Sequence, residues 1–410
     1  MEHLPEIVQK AIRNILDSNF GIHDYTINIM PASETGDNFM GSLKKIVVDG
    51  KVNNVDTNLN LVCKLMPSDA NFRKNVNVYE PFKREVFMYN VLDDFKVFQT
   101  DKGIQNNRFE SYALRYAASS KEFQEYLILE DLCINSFRMF DKNSKLDNVH
   151  MRLVLKALAE FHALSFAMRD QKPEEFNKYT HIKEMFTQTL GEKKYYDLCD
   201  IGLSNALKVI ENYDDNLVPK LNRLRQNCYE IMNDCFYAKS SQKYRVLTHG
   251  DCWINNVMFK YKDQIPVEVC ILDWQFSRYS SPVTDLSFFF YTSAEQELLF
   301  QHFDSLIEEY IKHLHNTIKL LGSDPNEIYP RKQFQKDLER YFKYGLISCC
   351  HVFKFVLSKP DEAPDMQKLA LSNSRESLEE QFQFIHPSTK NDYARRIRNI
   401  VKHASDRNFI

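Results

Sequence analysis

The feature that most constrains this chain is a loop followed by a hairpin, which together carry three polar side chains. Asp251 ends the run Val-Leu-Thr-His-Gly-Asp, Asn256 follows it by five residues, and Asp273 lies in Ile-Leu-Asp-Trp-Gln. Between them are two mostly apolar, β-prone runs, 257–259 and 267–272, separated by a polar segment. We therefore predict a hairpin that returns the chain to the loop and brings Asp273 to Asp251 and Asn256.

These three side chains have the types and the spacing that phosphoryl transfer requires. The reaction needs a carboxylate beside the attacking hydroxyl, and oxygen ligands that hold magnesium across the phosphates. Asp251 suits the first role, whereas Asn256, chosen over Asn255 by its spacing, and Asp273 suit the second. Each residue alone has an ordinary explanation, as a turn cap, a loop amide or a strand-end carboxylate. Their combination favours Asp251 as catalytic and Asn256 and Asp273 as metal ligands.

Together with Ser-Pro-Val-Thr-Asp-Leu at 281–286, these motifs resemble the ecdysteroid kinase-like (CHK kinase-like) family, which is similar to choline kinases and aminoglycoside phosphotransferases. The resemblance extends from about Tyr25 to beyond Cys350. It implies an α+β, protein-kinase-like two-lobe fold, with a small antiparallel-sheet N-lobe over 1–131 and a larger, mostly helical C-lobe over 132–410. It also implies ATP and Mg2+ as cofactors.

A kinase-like fold requires an upstream lysine that holds the nucleotide phosphates and a helical glutamate that pairs with it. Lys64 lies within the apolar run Asn60-Leu-Val-Cys-Lys-Leu-Met, where a charge is costly unless it is paired. Glu85 lies in a segment with helical periodicity and is its expected partner. A snorkelling lysine at a strand edge, a solvated helix face, and Glu80 as a rival partner remain open.

Two further segments have weaker candidate roles in nucleotide binding. The apolar run from Tyr126 ends in Glu-Asp-Leu and resembles the hinge that grips adenine, so Glu130 and Leu132 are candidate cofactor-binding positions, acting mainly through their backbone. An ordinary strand end is the alternative. Gly36-Asp-Asn-Phe-Met-Gly41 has two glycines where protein kinases have three, and it fits a phosphate-binding turn or a plain hairpin turn equally.

Three polar residues receive supporting roles. In the resembled family Asp285 accepts backbone hydrogen bonds from the catalytic loop, although a helix N-cap explains the same residue type. His249 is expected to support the geometry of the loop rather than to move protons, and His162 to be a packed core histidine. After Asp273 there is no Phe-Gly and no long activation segment, which argues against a protein acceptor and favours a small molecule.

Composition excludes several other classes of protein. The net charge of −3 over 410 residues gives no bulk attraction for nucleic acid. Nine cysteines, an odd number, indicate reduced thiols and a cytoplasmic protein, and the start of the chain has no secretory signal pattern. No apolar run approaches the roughly 18 residues of a membrane span. The basic residues of 395–402 are expected on a solvated helix face, and no protein partner is implied.

The coarse pattern predicts a lead helix over Glu6 to Leu16, strands near 25, 43, 60 and 126, and a helix near 82. The remainder is predicted to be helical, chiefly over Met151 to Met168 and near 218–236, 296–321 and 333–357.

The resulting hypothesis is an ATP-dependent phosphotransferase that phosphorylates a hydroxyl of a small-molecule alcohol. Family resemblance points to an ecdysteroid or another hydroxylated lipid or xenobiotic as acceptor, but the sequence does not select the alcohol or the oligomeric state. The alternatives are a choline or ethanolamine kinase, and a nucleotide-binding or hormone-binding protein without turnover.

Overall fold

The computed structural model describes residues 4–32, 41–106, 108–141, 144–359, 361–372 and 374–410, apart from the side chain of Met366. Of the glycine-containing turn singled out above, Gly36 to Met40 lie outside the described residues.

The N-terminal part is built around an antiparallel sheet. Helix α1 (Glu6–Asn14) continues into a π-helical turn (Ile15–Phe20) and leads to five strands, in the spatial order β1-β2-β3-β5-β4. The strands are β1 (His23–Pro31), β2 (Ser42–Val52), β3 (Val55–Leu65), β4 (Arg115–Ser119) and β5 (Tyr126–Glu130). Asn53 and Asn54, with φ of 51° and 63°, form the two-residue turn between β2 and β3, a backbone conformation that asparagine tolerates well.

The two faces of this sheet are covered by different helices. Leu61, Cys63 and Leu65 of β3 are buried in a small core with α1. Because side chains alternate along a strand, Lys64 points to the opposite face. That face is covered by helix α3 (Tyr79–Asp101), which follows the short helix α2 (Ala70–Asn75) and is buried along much of its length.

The remainder of the chain is mostly helical. Its helices are α4 (Asn148–Gln171), α5 (Pro173–Asn177), α6 (Met185–Leu190), α7 (Glu192–Ile210), α8 (Val218–Gln226), α9 (Cys228–Tyr237), α10 (Val283–Ser293), α11 (Phe303–Leu320), α12 (Pro325–Ile328), α13 (Arg331–Tyr341), α14 (Lys343–Leu357), α15 (Met366–Leu371), α16 (Arg375–Gln381) and α17 (Pro387–Asp406). Every residue of α10 is buried. One large apolar core runs from α3 through α4, α10 and α14 to α17. No helix among the described residues is both long and apolar enough to span a membrane.

Two small antiparallel sheets lie within this helical part and position the loop that the sequence singled out. One has the order β6 (Phe137–Met139), β8 (Val257–Lys262), β9 (Ile265–Ile271), and the other pairs β7 (Val246–Thr248) with β10 (Arg278–Ser280). Strands β8 and β9 are the predicted hairpin, but its turn is shorter than predicted. Only Asp263 and Gln264, with φ of 50° and 64°, connect the strands, because the polar residues Tyr261 and Lys262 extend β8 instead of leaving it.

The α+β prediction is confirmed, with an antiparallel sheet in the N-terminal part and a mostly helical remainder. The division at 131/132 stays a prediction. The sequence pattern missed strand β4 and helix α7. The prediction of a solvated basic face on α17 is wrong for Arg396, which is buried and donates hydrogen bonds to the carbonyl oxygens of Thr292 and Ala294.

Candidate active site

Lys64 lies at the centre of a group of charged side chains between the sheet and the helical part. Its Nζ is 2.6 Å from Oε2 of Glu85, on α3, and 2.7 Å from Oδ1 of Asp273, which follows β9. Burial alone would lower the pKa of Lys64, but the carboxylates of Asp273 and Glu85 more than reverse this and raise it. The lysine is therefore a fixed positive charge that joins three elements distant in the sequence.

Glu85 is held in this position by helix α3. The side chain is only 3% exposed, and burial raises its pKa to about 7, although the charge of Lys64 acts in the opposite direction. Of the two partners considered from the sequence, the structure pairs Lys64 with Glu85 and not with Glu80.

Asp273 adopts an unusual backbone conformation. Its φ of 65° places it in the left-handed region, which costs about 1–2 kcal/mol for a residue other than glycine and is typical of functional sites. The strain directs Oδ1 to Lys64, while Oδ2 accepts a 3.0 Å hydrogen bond from Nε2 of Gln275. The carboxylate is thus aimed at the lysine from the end of the hairpin.

The predicted catalytic loop begins where β7 ends and is held in place by Asp285. The backbone N–H groups of His249 and Gly250 donate to Asp285 over 2.6 and 2.8 Å. Burial would raise the pKa of Asp285, but hydrogen bonding and charge from His162 and the neighbouring donors lower it. Asp285 lies in the first turn of α10 but does not cap that helix, so the geometry matches the bracing role and not the N-cap alternative.

Glycine is required at position 250 of this loop. Its φ is 86°, and a Cβ there would lie 2.0 Å from the carbonyl oxygen of Phe276. The close approach packs the loop against the segment that follows Asp273. A side chain here would separate the two segments.

Asp251 and Asn256 are joined as the spacing predicts. The Asn256 amide nitrogen donates to both the backbone oxygen (2.8 Å) and Oδ2 (3.0 Å) of Asp251. These two bonds leave the amide oxygen of Asn256 available as a metal ligand. Burial, and then the charge of Asp273, raise the pKa of Asp251 to about 8, as suits a group that accepts a proton.

The two histidines have supporting positions. The ring of His249 links the loop to the hairpin, because Nδ1 accepts the N–H of Asp251 (3.3 Å) and Nε2 donates to the Leu272 carbonyl oxygen (2.9 Å). Burial lowers the pKa of His249, which favours the neutral ring that this arrangement needs. His162 is fully buried, 3.1 Å from Asp285 and 2.8 Å from the hydroxyl of Tyr310. Both fit their expected structural roles.

The charges of the site suit a divalent cation bound together with phosphates. The carboxyl groups of Glu85 and Asp273 both contact Lys64, and Asp251 is close enough to Asp273 to feel its charge. Burial, and after it the charge of Asp273, raises the pKa of both Glu85 and Asp251. Hard magnesium takes such carboxylate and amide oxygens together with substrate phosphates. Among the residues that the structure describes, no cluster of three or more His, Cys, Asp or Glu side chains forms a metal site independent of phosphates.

The two predicted hinge residues, Glu130 and Leu132, lie at the end of β5. The side chain of Glu130 is hydrogen-bonded, and that of Leu132 is packed. Oε1 of Glu130 accepts the Leu114 N–H (2.7 Å), and the Glu130 N–H donates to the Leu114 carbonyl oxygen (2.9 Å). Leu132 begins a short 3-10 turn and packs in a small apolar cluster with Met258 and Cys270. Backbone contacts of Glu130 and Leu132 with adenine stay a prediction.

Several residues near the site were not singled out from the sequence. Lys45 of β2 forms a 2.7 Å ion pair with Asp131, next to the predicted hinge. Arg84, beside Glu85, is buried and donates to the backbone oxygens of Ser277 and Lys183. Arg278 is almost completely buried. Of these residues, only Arg278 could have been recognised from the sequence, because it is a charged residue within a segment of otherwise apolar and hydroxyl-bearing residues.

Comparisons with known proteins gave a family match and several similar solved structures. No curated protein sequence matched the chain. Similar solved structures include the GDP complex of wild-type aminoglycoside 2'-phosphotransferase-IIIa, which has 12% sequence identity, a TM-score of 0.42, and coverage of 92% of this chain and 98% of that chain. An ethanolamine kinase of Plasmodium vivax has 12% identity, a TM-score of 0.42, and coverage of 94% of this chain and 83% of that chain. The model of the ecdysteroid kinase-like family matches residues 35–323, well over half of the sequence. The chain therefore belongs to the ecdysteroid kinase-like family.

Proposed function

We propose that this chain is an ATP-dependent phosphotransferase that phosphorylates a hydroxyl group of a small molecule. The observation that carries the proposal is the position of Lys64, held between Glu85 and Asp273. In protein kinases a strand lysine held by a helical glutamate grips the nucleotide phosphates. Family membership supports the same chemistry.

In this proposal Asp251 acts on the acceptor. Its carboxylate orients the hydroxyl and takes its proton as the oxygen attacks the γ-phosphorus. The hydrogen bonds from Asn256 and the bracing of the loop by Asp285 fix the carboxylate in one orientation. A carboxylate whose pKa is raised by burial is a stronger base than an exposed one.

The other predicted residues would bind the nucleotide and its magnesium ion. Asn256 and Asp273 would hold Mg2+, while Lys64 neutralises phosphate charge and Glu85 keeps Lys64 in place. When bound, magnesium-ATP would supply the phosphoryl group, and the metal would offset the negative charge of the phosphates. We propose backbone contacts of Glu130 and Leu132 with adenine, and a division into lobes at 131/132.

An ecdysteroid, or another hydroxylated lipid or xenobiotic, is the proposed acceptor, because the family carries that name. We also propose a cytoplasmic location, because nine free cysteines suit a reducing compartment.

The direct test is phosphorylation of defined acceptors. The wild-type protein and Asp251→Asn are incubated with magnesium-ATP and ecdysone, choline, ethanolamine or plant-derived alcohols, and products are detected by mass. We expect product from the wild type and a loss of at least about a hundredfold in kcat for Asp251→Asn.

The control is Asp263→Asn, which changes an exposed aspartate in the β8–β9 turn and keeps a residue that tolerates positive φ. It should leave the rate unchanged. Equal activity of Asp251→Asn and the wild type would contradict the role of Asp251. Nucleotide binding without product from any acceptor would favour a non-catalytic binding protein, and product from choline or ethanolamine alone would favour an amino-alcohol kinase.

A further inference from the structure

A buried arginine surrounded by aromatic rings lies beside the catalytic loop. Arg278 is 1% exposed, and its guanidinium carbon lies 4.8, 5.4 and 6.0 Å from the ring centres of Tyr344, Phe236 and Phe186. Such a cage of rings is the arrangement that proteins use to bind quaternary ammonium ligands. Here a cation of the protein itself fills the cage.

The cage borders the residues that would meet the acceptor. Arg278 pairs across the sheet with Thr248, which leads into the catalytic loop. Its neighbour Ser277 donates a 3.3 Å hydrogen bond to the backbone oxygen of His249, and Phe276 abuts Gly250. An acceptor whose hydroxyl reaches Asp251 must lie against this part of the loop.

Arg278 has fewer hydrogen-bond acceptors than it can use. Nη2 donates to the Tyr344 hydroxyl over 2.6 Å, but Nε and Nη1 have no hydrogen-bond partner among the described residues. Glu184 lies 3.8 Å from Nη1, and its two oxygens already accept the backbone N–H groups of Phe186 and Thr187. A buried donor without a partner costs about 1–3 kcal/mol, so an additional oxygen acceptor would be stabilising here.

One ring of the cage offers a route from the surface. Phe186 is partly exposed, whereas Phe236 and Tyr344 are buried. It stacks on Phe276, with ring centres 4.4 Å apart and planes within 17°. Phe186 is therefore the side of the cage from which an acceptor would approach Arg278.

We propose that Arg278 determines acceptor specificity: it excludes cationic amino alcohols from the aromatic cage and binds an oxygen of an uncharged alcohol with an apolar skeleton. The inference rests on the proposed phosphotransferase function and narrows its substrate class. A choline-like ammonium group would meet like charge in the cage, whereas a ketone or second hydroxyl would supply the missing acceptor for Nε or Nη1.

The test measures binding as well as turnover, in the absence and in the presence of magnesium-ATP. Calorimetry gives Kd for ecdysone, coniferyl alcohol and choline with the wild type, Arg278→Met and Arg278→Lys. We expect the wild type to bind at least one uncharged probe and to bind choline more weakly. Arg278→Met should weaken binding of the uncharged probe about tenfold, as expected for one hydrogen bond to a charged group, and strengthen binding of choline. Arg278→Lys should weaken binding of the uncharged probe but should still not bind choline more tightly than the wild type does.

Arg396→Met is the matched control, because Arg396 is also buried and lies over a ring, that of Phe353, but is on α17. It should leave all three Kd values unchanged, and every variant should keep KM for ATP within about twofold. If Arg278→Met does not fold, the inference is still tested by Arg278→Lys and by whether the wild type binds an uncharged probe more tightly than choline.

Choline binding as tightly as any uncharged probe, or unchanged affinity in the Arg278 variants, would overturn the inference. If the wild type forms product but the Arg278 variants bind every probe as the wild type does, the inference about Arg278 is wrong and the proposed phosphotransferase function stands. If the Arg278 variants change the affinity for the probes but no protein forms product, the proposed phosphotransferase function is wrong and the role of Arg278 in binding stands.

Discussion

At the scale of single residues, the site pairs one lysine with the carboxylates of Glu85 and Asp273, and Asp251 lies near the second of these. Asp251, Asn256 and Asp273 could be assigned from the sequence because a fixed five-residue spacing and a strand-end position identify them. Lys64 could be assigned because a charge inside an apolar strand requires a partner. The choice of Glu85 over Glu80 needed coordinates, because both lie on the same helix and only its rotation decides which one faces the sheet.

The raised pKa of Asp251 predicts a specific dependence of stability on pH. In the native protein the pKa is about 8, against 3.8 for the ordinary side chain, so between these values the native state binds more protons than the unfolded state. Stability from this group is therefore present at low pH and is lost as pH rises toward 8. Asp251→Asn removes this titration and keeps an oxygen that can accept from Asn256.

We expect Asp251→Asn to be about 1–3 kcal/mol more stable than the wild type at pH 8.5 and close to it at pH 4.5. Thermal unfolding in EDTA across this range measures the difference. A difference that shrinks with rising pH would show that burial of the carboxylate is not the cause.

Gly250→Ala should disturb the loop by two separate effects. The left-handed backbone disfavours a side chain, and the new Cβ would collide with the carbonyl oxygen of Phe276 at 2.0 Å. We expect a loss of about 2–4 kcal/mol in urea unfolding, together with loss of activity. Gly103→Ala separates the two effects, because Gly103 has φ of 67° and nothing within 4 Å of its Cβ, so only the backbone strain of about 1–2 kcal/mol applies. Equal losses in both variants would refute the steric contribution.

At the scale of elements, sequence periodicity identified the lead helix, four of the five sheet strands and most long helices, since these carry strong apolar patterns. Strand β4, Arg-Tyr-Ala-Ala-Ser, was missed because alanine and serine give little strand signal and its face is only half-buried. The contacts that orient elements were beyond the sequence. Arg84 reaches Ser277, which is 193 positions away, and no local pattern contains that information.

Helix α3 is fixed against the helical part by Arg84, and this contact should control the Lys64–Glu85 pair. Arg84 donates to Lys183 (3.0 Å) and Ser277 from the position next to Glu85. Burial lowers its pKa to about 10, which leaves it charged at neutral pH. Without the guanidinium, α3 can turn and carry Glu85 away from Lys64.

We expect Arg84→Met to lower kcat/KM for ATP about tenfold, which corresponds to one or two lost hydrogen bonds from a charged group. Lys83→Met changes an exposed residue of the same helix and should have no effect. Partial recovery in Arg84→Lys would support the positioning role. A fall in thermal stability with an unchanged KM for ATP would indicate that Arg84 only holds the fold together.

At the scale of the whole molecule, the proposed active site consists of residues 64, 85, 251, 256 and 273, which span the sheet, helix α3 and the helical part. These residues could be predicted from the sequence. The sequence could not show that Lys64 contacts both helix α3 and the end of the β8–β9 hairpin. Binding a ligand at that junction should therefore stabilise the fold as a unit.

Magnesium-ATP is expected to raise the melting temperature, whereas ATP in EDTA should raise it far less. The site already sets the carboxylates of Glu85 and Asp273 against one lysine, with Asp251 near Asp273, so the nucleotide phosphates without a cation meet uncompensated negative charge. A ligand at a hundred times its Kd stabilises the native state by about 2.7 kcal/mol, or a few degrees for a chain of this size. Asp273→Asn replaces the carboxylate of a proposed metal ligand by an amide and keeps one oxygen, and it should reduce the magnesium-dependent shift by more than half. An equal shift with and without magnesium in the wild type would mean that Asn256 and Asp273 do not bind a divalent cation in this protein.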